Sequence, residues 1–116
     1  MALGSLESEI MDVLWGARRP LTVRETLDAL NDNRTPPLAY TTVLTVMSRL
    51  AEKGALTRTA RGRGHAYEPA ADDEAALAVQ GVLRTYGDAA VSHFLDQAAP
   101  APALRERLQA LLKQDS

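Results

Sequence analysis

Residues 40–69 read YTTVLTVMSRLAEKGALTRTARGRGHAYEP, and their order decides the fold. Val43, Met47 and Leu50 recur at the spacing of one helical face, with Val46 beside them. They predict a helix from Tyr40 to Lys53 that turns Thr41, Thr42, Thr45, Ser48 and Arg49 away from its packed side. The segment is rich in β-branched residues, which lowers its intrinsic helix propensity, so packing has to hold it. Gly54 suits the left-handed residue that closes a helix. Beyond it Leu56–Thr59 and His65–Glu68 alternate as two short strands around a basic tip, Arg61-Gly62-Arg63-Gly64. Pro69 ends the hairpin.

Working towards the N-terminus, Leu6, Ile10, Val13 and Leu14 lie on one face of a first helix, with Ser5 placed to cap it and Gly16 to close it. Arg18-Arg19-Pro20 makes a turn. Thr22 and Glu25 form a capping box, in which each side chain satisfies a free backbone amide near the other. They open a second helix whose buried stripe is Val23, Leu27 and Leu30. Three helices followed by a hairpin is the order of a winged helix-turn-helix. The fold class is therefore mainly α with a small β-hairpin.

Towards the C-terminus the pattern stays helical. Asp72 or Asp73 can cap a helix reaching Tyr86, a second runs from Asp88 to Ala98, and a third follows Pro102. Leu77, Val82, Leu83, Val91, Phe94, Leu95, Leu104, Leu108 and Leu111 form their apolar stripes. At 4% aromatic content these helices make a poor core alone, so two copies interlocking about a two-fold axis is the expected way to cover them. The division expected is a winged-helix DNA-binding domain over residues 1–69 and a helical dimerisation region over 70–116.

Composition narrows the function. With no cysteine among 116 residues, disulfides, thiolate zinc sites and thiol chemistry are excluded. No signal peptide or membrane span is apparent, which places the protein in the cytoplasm with no membrane partner. His65 and His93 stand without neighbouring ligands, and no nucleophile elbow, phosphate loop or zinc-hydrolase helix occurs, so no metal, no cofactor and no catalytic role is expected. The formal charge of −2 is unevenly spread. Residues 39–69 hold five basic groups against two acidic ones, whereas 70–116 hold four against seven. DNA responds to the local field, so the basic stretch can face phosphates while the tail faces away.

In a helix-turn-helix the second helix of the unit enters the major groove with its N-terminal residues on base edges. Here those are Tyr40, Thr41, Thr42 and Thr45. Threonine hydroxyls can bond bases or phosphates and their methyls can pack on thymine, although threonines at a helix start also serve as ordinary caps. Arg61, Arg63 and His65 belong to a wing that would meet the backbone or the minor groove, and Arg49 and Arg58 can also reach phosphates. A pair between Arg49 and Glu52 is the competing role for that arginine. Trp15 and Tyr67 are expected in the core. A winged helix used only for contact with another protein is the alternative function, but the polar threonine face and the basic tip favour double-stranded DNA.

Leu6-Glu7-Ser8-Glu9-Ile10-Met11-Asp12-Val13-Leu14-Trp15 and Ala39-Tyr40-Thr41-Thr42-Val43-Leu44-Thr45-Val46-Met47-Ser48-Arg49-Leu50, followed by Lys53-Gly54, Tyr67 and Pro69, resemble the signatures of the BlaI/MecI/CopY repressors. The resemblance implies a homodimer on a two-fold symmetric operator that overlaps a promoter. It implies induction through a membrane-bound sensor protease that leads to cutting at an Asn-Phe bond, or through copper bound to a cysteine cluster. The place of the first reads Val91-Ser92-His93-Phe94-Leu95, with histidine where the asparagine would stand. The cysteine cluster is absent, which leaves a sensor protease or a small-molecule inducer open.

Overall fold

The computed structural model describes residues 3–114. In chain order the elements are α1 (Ser5–Ala17), β1 (Leu21–Thr22), α2 (Val23–Asn31), α3 (Tyr40–Glu52), β2 (Leu56–Arg61), β3 (Gly64–Pro69), α4 (Glu74–Tyr86), α5 (Asp88–Ala98) and α6 (Pro102–Gln114). The protein is mainly helical with one three-stranded antiparallel sheet of order β1-β3-β2. Two compact units meet within α4, between Val79 and Gln80, further along the chain than the boundary expected at residue 69.

Several local expectations shift. The N-cap of α1 is Gly4 rather than Ser5: the Gly4 amide donates to Glu7 Oε1 at 2.9 Å, so Glu7 closes the turn from inside. Gly16 stays helical, and Arg18 takes the left-handed turn with φ 56°. The hairpin gains a third strand. Leu21 pairs with Tyr67 and Thr22 with Ala66, so Thr22 ends a strand and caps α2 at once. Its Oγ1 accepts from the Glu25 amide at 3.1 Å, and its own amide donates to Glu25 Oε1 at 2.9 Å.

The first unit closes its own core. Ile10, Met11 and Leu14 of α1, Val23 and Leu27 of α2, and Val43, Met47 and Leu50 of α3 are all buried. Leu21, Leu56 and Tyr67 of the sheet cover one side, and Gly54, at φ 84°, lets α3 turn directly into Ala55 and β2. Trp15 is half-buried and its Nε1 donates to the Ala71 carbonyl at 2.9 Å, fastening the chain after β3 to α1. Thr26, the buried polar residue, donates from Oγ1 to the Thr22 carbonyl at 2.9 Å. Among the described residues no buried side-chain nitrogen or oxygen lacks a partner.

Leu77 is only 4% exposed and belongs to this core, so it has no surface left for a second subunit. The rest of the tail is different. Val82, Leu83, Val91, Phe94, Leu95, Leu104 and Leu111 are exposed, and Leu108 is half-buried.

Candidate nucleic-acid interface

The orientation of α3 follows from its buried residues. Val43, Met47 and Leu50 are fully buried, which fixes the rotation of the helix and leaves Tyr40, Thr41, Thr42, Leu44, Thr45 and Arg49 exposed. The approach to the helix is fixed as well. Asn31, at the end of α2, donates from Nδ2 to the Leu38 carbonyl at 3.1 Å and accepts from the Leu38 amide at 2.8 Å. This pair of hydrogen bonds does for the α2–α3 turn what a strand pairing would do, so α3 starts from a set place.

The N-cap of α3 is Ala39, which has no side chain to offer the first amides. Thr41 and Thr42 lie inside the first turn rather than at the cap, which removes capping as the explanation for them. Their hydroxyls and that of Thr45 are exposed, with no partner among the described residues. A polar ridge with an open helix N-terminus suits phosphate and base-edge contact.

The wing is closed by the pair Arg61↔Gly64, so the turn is the two residues Gly62 and Arg63. Gly62 has φ 58° at the first turn position, a conformation that glycine adopts without strain. Arg61 therefore belongs to β2 and only Arg63 to the tip. Arg63 is exposed and has no ion-pair partner among the described residues. Arg58 lies opposite Tyr67 and Ala60 opposite His65. Residues directly opposite share a face, so Arg58 and His65 extend the sheet face that carries Tyr67.

An open groove of about 360 Å³ joins the start of α2, the start of α3 and the wing. Arg24, Tyr40, Leu44, Arg61 and His65 line it, and no carboxylate does. The Arg24 guanidinium lies 5.0 Å above the centre of the Tyr40 ring. Such a stack steadies both side chains and keeps the positive charge at the surface. Beside the groove, Glu25 Oε1 accepts from Arg61 Nη1 and Oε2 from Arg19 Nη1, both at 3.1 Å. The Thr22 amide, and then Arg19, hold the Glu25 carboxyl down to about 2 against opposing burial.

The residues expected at the site thus separate into groups. Tyr40, Arg61 and His65 share the groove, and Thr41, Thr42 and Thr45 share the exposed face of α3. Arg58 and Arg63 are exposed on the wing outside the groove. Arg49 makes no ion pair with Glu52 among the described residues. Its charge acts on Glu7, whose carboxyl is lowered by the Gly4 amide first and by Lys53 and Arg49 after it. Lys53 Nζ bonds Glu7 Oε2 at 3.1 Å, so this end of α3 is tied to α1. Sequence reasoning missed Arg24 and Glu25. Glu25 closes the capping box and Arg24 stands inside it, on the flank of the stripe of Val23, Leu27 and Leu30, where the structure leaves it exposed.

The model of the family described as penicillinase repressor matches residues 3–114. The chain is 40% identical over 118 residues to the transcriptional regulator BlaI of Mycobacterium tuberculosis in two strains, covering 94% of this chain and 84% of that protein. Among solved structures it is similar to the monomeric form of Bacillus licheniformis BlaI in complex with the blaP half-operator. The TM-score is 0.52 at 29% identity, over 65% of this chain and 87% of that one.

Proposed function

The chain belongs to the penicillinase repressor family, and on that premise we propose that it is a sequence-specific transcriptional repressor that binds a two-fold symmetric operator as a homodimer. The family consists of repressors and not of enzymes. The observation that carries the reading is the first two turns of α3, where the exposed Thr41, Thr42 and Thr45 stand on the same helix as Tyr40 and Leu44, which line a groove with Arg24 and Arg61 and with no carboxylate. In this reading Tyr40, Thr41, Thr42 and Thr45 face base edges and nearby phosphates. Arg61, Arg63, Arg58 and His65 meet the backbone from the wing, with Arg49 at the far end of the helix. The similar protein solved with a half-operator supports DNA as the partner.

The homodimer is supported by the exposed apolar residues of α4–α6, Phe94 at 55% and Leu104 at 51% exposure among them. A two-fold partner covers such stripes and sets two reading helices at a fixed separation, which a two-fold operator matches. Among the described residues no helix is long and apolar enough to cross a membrane, in keeping with a cytoplasmic regulator. His93 and Phe94 are exposed on α5, where a sensor-dependent cut would fall, and an inducing small molecule is the other route.

The test is selection of bound fragments from genomic DNA by the purified protein, at near-physiological salt with competitor. A two-fold symmetric motif near promoters is the expected result. Binding without an enriched motif, or no binding, overturns the reading in favour of contact with another protein.

A further inference from the structure

Glu25 is an acid where an interface for DNA should have none. Its two oxygens accept a hydrogen bond each from Arg19 and Arg61, residues from the turn before β1 and from the wing, while the Thr22 amide also donates to Oε1. The pairs are open to water, with Arg19 58% and Arg61 48% exposed, and exposed ion pairs add little to stability. Capping does not need the charge either, because glutamine serves the same place in a capping box. A carboxylate here also repels every phosphate that approaches. What the charge supplies is direction. It holds Arg61 through Nη1 and leaves the other N–H groups of that planar fork for a second acceptor.

We propose that Glu25 is a positioning residue for DNA recognition: it fixes the Arg61 fork before the DNA arrives and offsets the charge of Arg19 and Arg61, so that the operator is favoured over bulk DNA. The inference rests on the DNA-binding reading above. Both effects act on the same ratio. Orientation in advance lowers the ordering cost of a contact made in the matched complex. The offset charge weakens the sequence-independent attraction that any duplex exerts. Arg61 thereby gains a set geometry at the expense of raw electrostatic pull.

The experiment is Glu25→Gln, which keeps the acceptor for the Thr22 amide and removes the charge. Binding is measured by fluorescence anisotropy, over a range of salt, to two duplexes of equal length. One carries the motif enriched from genomic fragments and the other is of mixed sequence. The expected result is a gain of about threefold on the mixed duplex without a matching gain on the motif, so discrimination falls about threefold to tenfold. In an Arg61→Ala background the same substitution lowers discrimination by clearly less, because the coupled partner is gone and only the charge of Arg19 is left to offset. A melting temperature lowered by less than in Thr22→Ala, as expected for the loss of an exposed charge alone, separates the effect from loss of the cap. Equal shifts on both duplexes, no shift on either, or a fall in discrimination as large without Arg61 as with it overturns the inference. Wild-type protein that binds both duplexes equally overturns the repressor reading and the inference with it, and shows this before any substitution is made.

Discussion

Arg63 is the wing residue whose loss gives the cleanest measure of backbone contact. It sits at the second position of the Gly62-Arg63 turn, exposed and without an ion-pair partner among the described residues. Its whole charge is available to a phosphate. Each phosphate neutralised contributes about 0.9 to the slope of log affinity against log salt. A dimer carries two wings, so Arg63→Ala flattens that slope by about 1.8. Between 50 and 200 mM salt the wild type then loses about twelvefold more affinity than the variant does. Arg61→Ala flattens it less, because Glu25 already offsets part of the Arg61 charge.

The assay is anisotropy titration of the motif duplex and of a mixed duplex at several salt concentrations. A backbone contact weakens both in parallel, since phosphates carry no sequence. Two results refute the reasoning. A slope unchanged by Arg63→Ala removes the wing from the backbone, and a loss confined to one base pair makes Arg63 a reader of sequence. A larger effect for Arg61 than for Arg63 refutes the offset by Glu25.

Three further outcomes follow from the same geometry. Thr22→Ala removes the hydroxyl that caps α2 and should cost about 1 kcal/mol, seen as a melting point lower by about 4–8 °C at fixed protein concentration; an unchanged melting point means the sheet pairing alone holds this junction. The carboxyl of Glu25, held down to about 2 from 4.5, stabilises the fold fully above its ordinary value, and this contribution fades as pH falls from 4.5 towards about 2. Thermal melts over that range should therefore decline less steeply in Glu25→Gln, and equal steepness would mean the same interactions persist unfolded. Phe94→Asp puts a charge on an apolar stripe and should give a monomer by light scattering, with operator affinity reduced about a hundredfold through loss of the linked half-site; an intact dimer places the interface elsewhere.

The elements legible in the sequence were those fixed by near neighbours. Val43, Met47 and Leu50 lie close along the chain, so their spacing alone sets the buried side of α3 and, by exclusion, the exposed threonines. The Thr22–Glu25 box is equally local, and it stands in the structure with both of its hydrogen bonds. What escaped were pairings between distant residues. A two-residue strand has no alternation to detect, so β1 shows itself only through its partner Tyr67. Glu25 reads as a helix cap until Arg61, 36 residues on, returns beside it. For Arg49 the spacing offers Glu52 as a competing partner to phosphate, whereas the acid that feels its charge, Glu7, belongs to another helix. Leu77 matched the tail pattern equally well, yet it packs into the core of the first unit.

The same contrast bears on how affinity could be adjusted. Among the described residues the first unit satisfies its own buried polar groups and closes its own core, so the exposed face of α3 is set without help from residues beyond Val79. In α4–α6 the large apolar residues beyond Leu77 are mostly left in water. On the proposed reading, stability is concentrated where the DNA is read, while what would join two readers is a separate contact of its own strength. For two linked half-sites the second engagement draws on effective concentration, and its advantage disappears when the link is cut. A signal acting on α4–α6 can therefore lower occupancy by orders of magnitude while leaving every residue of the groove in place. By the same logic, substitutions on α3 and the wing should change which DNA is bound and how strongly, but not the mass of the free protein in solution.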